Sequence, residues 1–196
     1  MTLGLTACQT GQRPTLRSEP TQGAAETDLA ITAVLDRLSR ADATTFTAVY
    51  SITPSSTGLP TTGTVRQSGA QQRVTIGDTD YVIDSSASRT CDNATNACVD
   101  IIDEARISNL NITHRFWGSS FSDRLKLDAS RNLTNAVGHN ETIAGQSAMC
   151  ADVTVVGGTV VYCALDAGIL ARYFGADVSI ELTSYSPQVD PAEITR

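Results

Sequence analysis

Residues 149–165 read MCADVTVVGGTVVYCAL, and they contain the clearest strand pattern of the chain. Apolar and polar side chains alternate from Met149 to Val155, the pair Gly157-Gly158 follows, and a second apolar run extends from Val160 to Leu165. Alternation with a period of two is typical of a strand with one buried face, and adjacent glycines between two such strands favour a tight hairpin turn. The stretch therefore predicts a pair of antiparallel strands.

Further strands are predicted on the C-terminal side of this hairpin. Ile169–Phe174 follows the turn residues Asp166–Gly168, and Val178–Thr183 follows the turn residues Gly175–Asp177. Connections this short place neighbouring strands antiparallel. The domain is therefore expected to end in three consecutive strands that are linked by hairpins.

A second group of strands precedes this region. From Phe46 to Thr53, apolar side chains occupy the even-numbered positions, as in a strand with one buried face. Gly63–Gln67, Arg73–Gly77 and Asp80–Asp84 read as three more strands with short turns between them. This part of the chain is therefore expected to be an antiparallel meander.

An amphipathic helix is predicted ahead of the first strand. Thr27-Asp28 provides a cap, and apolar residues from Leu29 to Ala41 follow at helical spacing over roughly 14 residues. The polar face of this helix is not rich in lysine. This composition favours a helix that covers a sheet over one that lies on a membrane surface.

The pattern of residues 100–135 is less regular. One helix is expected within 102–110, and a second is expected to begin at Ser119 or Ser120 as its cap. Arg124–Leu127 also alternates as in a strand, so for this short stretch both alternatives stay open.

Leu5-Thr6-Ala7-Cys8 matches the lipobox at which bacterial prolipoproteins are cleaved and acylated. The match predicts that Cys8 becomes the acylated N-terminus and that the protein is lipid-anchored to a cell membrane on its extracytoplasmic face. The chain is then divided into a truncated signal, a flexible tether, one domain and a C-terminal tail, with the boundaries 1–8, 9–26, 27–187 and 188–196. The alternative is a chance Leu-x-Ala-Cys in a chain rich in alanine and threonine.

Setting Cys8 aside leaves an even set of four cysteines. Cys91 and Cys98 flank a polar loop, and Cys150 and Cys163 fall near opposite positions on the predicted hairpin. Six and twelve residues separate the members of each pair, whereas structural zinc prefers cysteines about two to four residues apart. Two disulfides, Cys91–Cys98 and Cys150–Cys163, are therefore expected, with no metal and no cofactor.

Charge and motif content argue against several classes of function. The formal net charge is -7, and no cluster of lysine and arginine exists to neutralise nucleic-acid phosphates. His114 and His139 lie in polar surroundings, no Gly-x-Ser-x-Gly occurs, and adjacent carboxylates such as Asp103-Glu104 do not converge on a helix. No run of about 18 apolar residues predicts a spanning helix. An enzyme is not expected.

The order of these elements, together with Ala144-Gly145-Gln146, Cys150, Tyr162-Cys163 and Asp166–Arg172, resembles the LolA/LppX-like lipoprotein superfamily of the bacterial envelope, in particular small lipoproteins of high-GC Gram-positive bacteria. The resemblance covers about residues 27–185. It implies an α+β fold: a strongly curved antiparallel β half-barrel covered by an N-terminal helix and a helical insert. It also implies an apolar cavity, which holds acyl chains in characterised relatives.

Inward-facing residues of the sheet and of the first helix are expected to line such a cavity. They are Leu35, Leu38, Phe46, Tyr50, Ile52, Val74, Ile76, Val178, Ile180 and Leu182. With a cavity, the protein is an anchored, monomeric carrier or binder of a lipid or another hydrophobic ligand. The same alternation also describes a fully packed core, and the protein is then an anchored structural or interaction module without a small ligand. The sequence leaves both functions open.

Overall fold

The structure is a computed structural model that describes residues 28–84 and 86–195, with the backbone alone at Thr195. The lipobox with Cys8 and the tether 9–26 lie outside the described residues, so the anchoring of the protein stays a prediction. Within the described ranges, no helix combines the length and the apolar character that crossing a membrane requires.

Eleven strands of the described chain form one antiparallel sheet. In chain order they are β1 (Phe46–Pro54), β2 (Thr61–Ser68), β3 (Gln71–Ile76), β4 (Thr79–Ile83), β5 (Ser88–Asp92), β6 (Ala97–Val99), β7 (Val137–Ile143), β8 (Gln146–Val155), β9 (Gly158–Leu165), β10 (Leu170–Phe174) and β11 (Val178–Ser186). Their spatial order is β6-β5-β4-β3-β2-β1-β11-β10-β9-β8-β7. Because β6 and β7 are edges, the sheet is open, and the predicted unclosed antiparallel architecture is confirmed.

The two meanders join where the first strand pairs with the last. Thr47 lies opposite Ser186 and Pro54 lies opposite Val178, with a β-bulge after Val49. Buried and partly buried residues alternate along the whole of β1. A central strand with this alternation packs one face on the core and turns the other face outward. This pairing closes the chain into one domain.

Helices cover the inner face of the sheet. The elements are α1 (Leu29–Leu38), α2 (Ser119–Ser130) and two 3₁₀ helices, Ala41–Ala43 and Glu104–Leu110, and a fifth piece, α3 (Ala192–Thr195), lies near the C-terminus. Asp28 caps α1 as predicted, because its Oδ1 accepts hydrogen bonds from the backbone N–H of Ala30 (3.0 Å) and Ile31 (3.3 Å).

The first helix is shorter than the roughly 14 residues expected from apolar spacing. It ends at Leu38, and the Ser39 hydroxyl donates to the carbonyl of Asp36 at 2.8 Å. Serine that bonds locally to the backbone competes with continued helix. Ile31 and Val34 are buried, whereas Leu29 is 86% exposed and is not part of the core.

The insert is helical, but its details differ from the prediction. The helix expected within 102–110 is a 3₁₀ helix, and Arg124–Leu127 lies inside α2, so the strand alternative is wrong. The residue at the N-cap of α2 is Gly118, without a side-chain hydrogen bond, so the assignment of Ser119 or Ser120 as the cap is also wrong.

Strand β7 is absent from the sequence prediction. It reads VGHNETI, and six of its seven residues are exposed or partly buried. An edge strand that is polar on both faces shows no apolar alternation, which is the signal that the prediction used.

The C-terminal segment folds back over the outer face of the sheet. Ile194 of α3 is 1% exposed, and the Arg66 Nε lies 2.7 Å from a Glu193 carboxylate oxygen. Thr47 Oγ1 also donates to the carbonyl of Gln188 at 2.9 Å. Ile194, in the segment expected as a tail, is therefore packed against the domain.

Both cysteine pairs are joined as predicted. Cys91 on β5 lies opposite Cys98 on β6, and Cys150 on β8 lies opposite Cys163 on β9, each with an S–S distance of 2.08 Å. The first disulfide closes the hairpin at one edge of the sheet, and the second crosslinks two strands near the other edge.

Candidate functional site

The ten residues predicted to line a cavity belong to one apolar cluster on the inner face of the sheet. Nine of them are 2% exposed or less, and the tenth, Leu35, is partly buried. A side chain that faces a void larger than a water molecule keeps solvent-accessible area. The inner face is therefore filled around these nine residues in this conformation.

Aromatic side chains of the insert supply much of the filling. The Phe116 ring packs edge-on against Tyr50 at 5.0 Å between centroids and against Trp117 at 6.0 Å. A Cβ at Gly63 would lie 2.7 Å from Ile52 Cδ1 and 3.2 Å from Phe116 Cζ, so Phe116 fits because residue 63 is glycine. Trp117 is 1% exposed, which places it in the core.

Two hydrogen bonds at Leu170 fix this aromatic group to the sheet. The Leu170 N–H donates to the carbonyl of Trp117 at 2.7 Å, and the Tyr50 hydroxyl donates to the carbonyl of Leu170 at 2.9 Å. Burial, with a smaller contribution from Tyr185, raises the pKa of Tyr50 well above its usual value, so this hydroxyl stays protonated. The insert is thereby held across the middle of the sheet.

A polar network attaches α2 to β9 and β10. The Tyr162 hydroxyl donates to the Asp128 carboxylate at 2.5 Å, and the Arg124 guanidinium lies 2.5 Å from the Asp177 carboxylate and 4.6 Å above the Tyr173 ring. Burial first, and the bond to Asp128 second, raise the pKa of Tyr162 far above its usual value. Burial alone lowers the pKa of Arg124, but its hydrogen bond to Asp177 raises it overall.

The two histidines lie in different settings. His114 is 15% exposed, its Nδ1 contacts the Glu104 carboxylate, and its ring lies 5.5 Å from the Tyr81 ring. Such a partnered histidine at the edge of the core is typical of a structural role. His139 is on edge strand β7, opposite Cys150, with 41% of its side chain exposed.

His139, Glu141 and Cys150 bring potential metal-ligand atoms within 4.8 Å of one another. However, the Cys150 sulfur is bonded to Cys163, and both Glu141 carboxylate oxygens accept from Arg172 Nη1 at 2.7 and 2.6 Å. A metal ligand needs a free thiolate or an available carboxylate. The group is therefore explained by a disulfide and an ion pair. This group could not be identified from the sequence because β7 was not predicted.

Solved structures with a similar fold include MucB. One crystal structure of MucB superposes with a TM-score of 0.56 at 16% sequence identity and covers 85% of this chain and 62% of that chain. A crystal structure of MucB in complex with MucA(peri) has a TM-score of 0.52 at 12% identity and covers 85% and 59%. The fold is LolA-like.

This similarity shows the fold alone. The chain spans about three-fifths of the length of the MucB chains it matches. No protein-family model and no curated protein sequence matches the chain. The part of the resemblance to the LolA/LppX-like superfamily that concerns the fold is therefore confirmed, and its lipoprotein part stays a prediction.

Proposed function

We propose that this protein is an extracytoplasmic binding module, anchored to a membrane through Cys8, that recognises its partner through its surface and stores no lipid inside. The observation that carries the proposal is the filled inner face. Nine of the ten predicted cavity residues are 2% exposed or less, and aromatic side chains of the insert occupy the concave side. A carrier needs a water-free volume there instead.

A role in protein binding has support from a solved relative. MucB, which has the same type of fold, crystallised in complex with MucA(peri). At 12% identity no interface residue can be transferred, but the relative is an example of this fold in a protein complex. This support concerns a binding role and no catalytic activity.

An anchor at Cys8 would be attached to the domain beside edge strand β7. Asp28 begins the described region, and its Oδ2 accepts a hydrogen bond from the backbone N–H of Ala136 at 2.7 Å, just before edge strand β7. Cys8 precedes Asp28 by 20 residues. Such a length of chain reaches at most about 70 Å. An acyl group on Cys8 would therefore keep the domain close to the membrane, with the β7 edge nearest to the tether.

A second candidate function is the binding of a lipid or another hydrophobic ligand after α2 moves. The specific observation is that polar contacts at Tyr162–Asp128 and Arg124–Asp177 attach α2 to the sheet. Phe121 and Leu125 of α2 are buried in the same apolar cluster as the sheet residues. If α2 separated from the sheet, this apolar surface would become available to an acyl chain.

Native mass spectrometry distinguishes the two functions. The full chain with Cys8→Ser is expressed, purified without detergent and measured intact, and the same sample is extracted for lipids. We expect the mass of the polypeptide alone and no acyl species in the extract. A retained acyl species at stoichiometric amount contradicts the surface-binding proposal and supports the second candidate.

A further inference from the structure

A pocket of about 220 Å³ lies on the outer face of the sheet, away from the filled core. Its lining residues come from β3, from the hairpin of β4 and β5, and from α3. Its lining includes Val82, Asp84, Ala87, Arg89 and Ile194. None of them belongs to the predicted cavity.

Strand register explains why these side chains meet. Val82 lies directly opposite Arg89, and the Asp84 N–H donates to the carbonyl of Ala87 at 3.0 Å. Residues two apart on a strand, and residues opposite each other, share one face of the sheet. Val82, Asp84, Ala87 and Arg89 therefore all face outward, and Ile194, 1% exposed, packs beside them from α3.

Arg89 brings a positive charge to this pocket. Its guanidinium makes no hydrogen bond or ion pair with any residue in the ranges 28–84 and 86–195, and its Nε is buried without an acceptor. Buried donors are nearly always hydrogen-bonded, and those that are not need an explanation. An acceptor on a bound molecule would satisfy this donor.

Asp84 brings a negative charge to the same pocket. Its Oδ1 accepts from the Ser86 N–H and hydroxyl, both at 2.7 Å, and from the Ala87 N–H at 2.9 Å. These bonds, that of the Ser86 hydroxyl first, lower the pKa of Asp84, so the carboxylate is ionised at neutral pH. The positive charge of Arg89 also lowers the pKa of Asp84, but no ion pair joins the two side chains within the described chain.

We propose that this pocket binds an aliphatic α-amino acid as its zwitterion. The carboxylate of the ligand pairs with Arg89, its ammonium group pairs with Asp84, and its side chain packs on Val82, Ala87 and Ile194. A pocket volume of about 220 Å³ has room for a small molecule such as valine or leucine. A simple carboxylate leaves Asp84 without a cation, and a simple amine leaves Arg89 without an anion.

Three probes with the same aliphatic group test both charges. L-leucine, 4-methylpentanoate, which lacks the ammonium group, and 3-methylbutylamine, which lacks the carboxylate, are titrated into the ¹⁵N-labelled full chain. We expect leucine to shift the amide resonances of residues 82–89 saturably. The two other probes should bind at least about tenfold more weakly, because each loses a charge-assisted hydrogen bond.

Single substitutions then assign each charge to its residue. Arg89→Gln should remove the advantage of leucine over the amine, and Asp84→Asn, whose side-chain oxygen can still accept from Ser86, should remove its advantage over the carboxylate. Arg131→Gln and Asp100→Asn, at exposed positions elsewhere, serve as matched controls and should change neither. Equal binding of all three probes, unchanged leucine binding in both pocket variants, or no saturable shift with leucine overturns the proposal.

Discussion

The hydroxyl of Tyr162 on β9 donates a hydrogen bond to the carboxylate of Asp128 on α2 at 2.5 Å. This bond connects the helical insert to the sheet at a buried position, since Tyr162 is 0% exposed. A hydrogen bond to a charged group contributes about 1.5–3 kcal/mol, and Asp128 keeps access to water after the bond is lost. The bond is therefore a local attachment of α2, and its removal should be felt first in that helix.

Tyr162→Phe should lower the free energy of unfolding by about 1–2 kcal/mol, because the packing of the ring is kept while the bond to Asp128 is lost. Hydrogen exchange should accelerate most at the amides of α2. Tyr185→Phe, at a partly buried position, is the matched control and should change stability by less than about 0.5 kcal/mol. Equal protection of α2 in the variant and the parent protein would show that this bond does not attach the helix.

Stability should fall in alkaline solution because of the buried tyrosines. Burial raises the pKa of Tyr173 from 10.0 to about 12. Between these values the unfolded chain loses the proton while the folded chain keeps it. The contribution of Tyr173 to the free energy of unfolding is therefore fully present below about pH 10. Between about pH 10 and 12 it decreases by about 1.4 kcal/mol per pH unit.

Urea unfolding of Tyr173→Phe and of the parent protein at about pH 9, 10 and 11 measures this contribution. The variant should lose less stability per pH unit above pH 10, by up to about 1.4 kcal/mol. Tyr185→Phe should have a smaller effect on the slope, because Tyr185 is only partly buried. Parallel pH profiles for Tyr173→Phe and the parent protein contradict the assignment.

The sequence predicts the strands best where one face is buried and the turns are glycine-rich. The hairpin of β8 and β9 around Gly157-Gly158 and the strand from Phe46 follow from alternation alone. The pairing of Thr47 with Ser186 cannot be predicted from alternation, because these residues are far apart in sequence and tertiary packing decides which strands pair. Edge strand β7, exposed on both faces, carries no periodic signal.

The candidate site is less predictable than the fold. The inward-facing strand residues could be predicted because apolar side chains at every second position show which face of a strand is buried. This alternation does not show what packs against that face. Phe116 and Trp117 fill it from an irregular insert without a sequence pattern. The outer pocket was not predicted because one of its lining residues, Ile194, lies in a segment that was expected to be a tail.

The two disulfides should differ in their contribution to stability. Chain-entropy estimates give about 2.5 kcal/mol for Cys91–Cys98 and about 3 kcal/mol for Cys150–Cys163. Both sulfurs of the second pair belong to residues that are 0% exposed, so replacing them also disturbs packing. The double variant Cys150→Ala with Cys163→Ala should therefore be less stable than Cys91→Ala with Cys98→Ala in urea unfolding. Non-reducing peptide mapping that joins Cys91 to Cys150 or Cys163 would contradict the strand arrangement.

Cys8 should be acylated when the protein is expressed behind a complete secretion signal. The protein should then partition into detergent and incorporate labelled palmitate, because an acyl chain supplies the apolar surface that the polar tether lacks. Cys8→Ser should abolish both properties. Cys91→Ala with Cys98→Ala is the control for loss of cysteine as such and should keep both. Recovery of the unmodified parent protein from the cytosol would contradict anchoring.

Enlarging residues of the inner face separates a packed core from a ligand cavity. Val178 is 0% exposed and Ile76 is 2% exposed, so Val178→Phe and Ile76→Trp should each destabilise the Cys8→Ser protein by about 1–3 kcal/mol. For a chain of this size such a loss lowers the melting temperature by about 2–12 °C. Val156→Phe and Ile101→Trp make the same replacements at residues that are 86% and 63% exposed, and should leave melting unchanged. Filling a cavity is nearly neutral for stability. If the parent protein takes up a fluorescent fatty acid, and the two inner-face variants lose this uptake without a change in melting temperature, the protein is a lipid carrier instead.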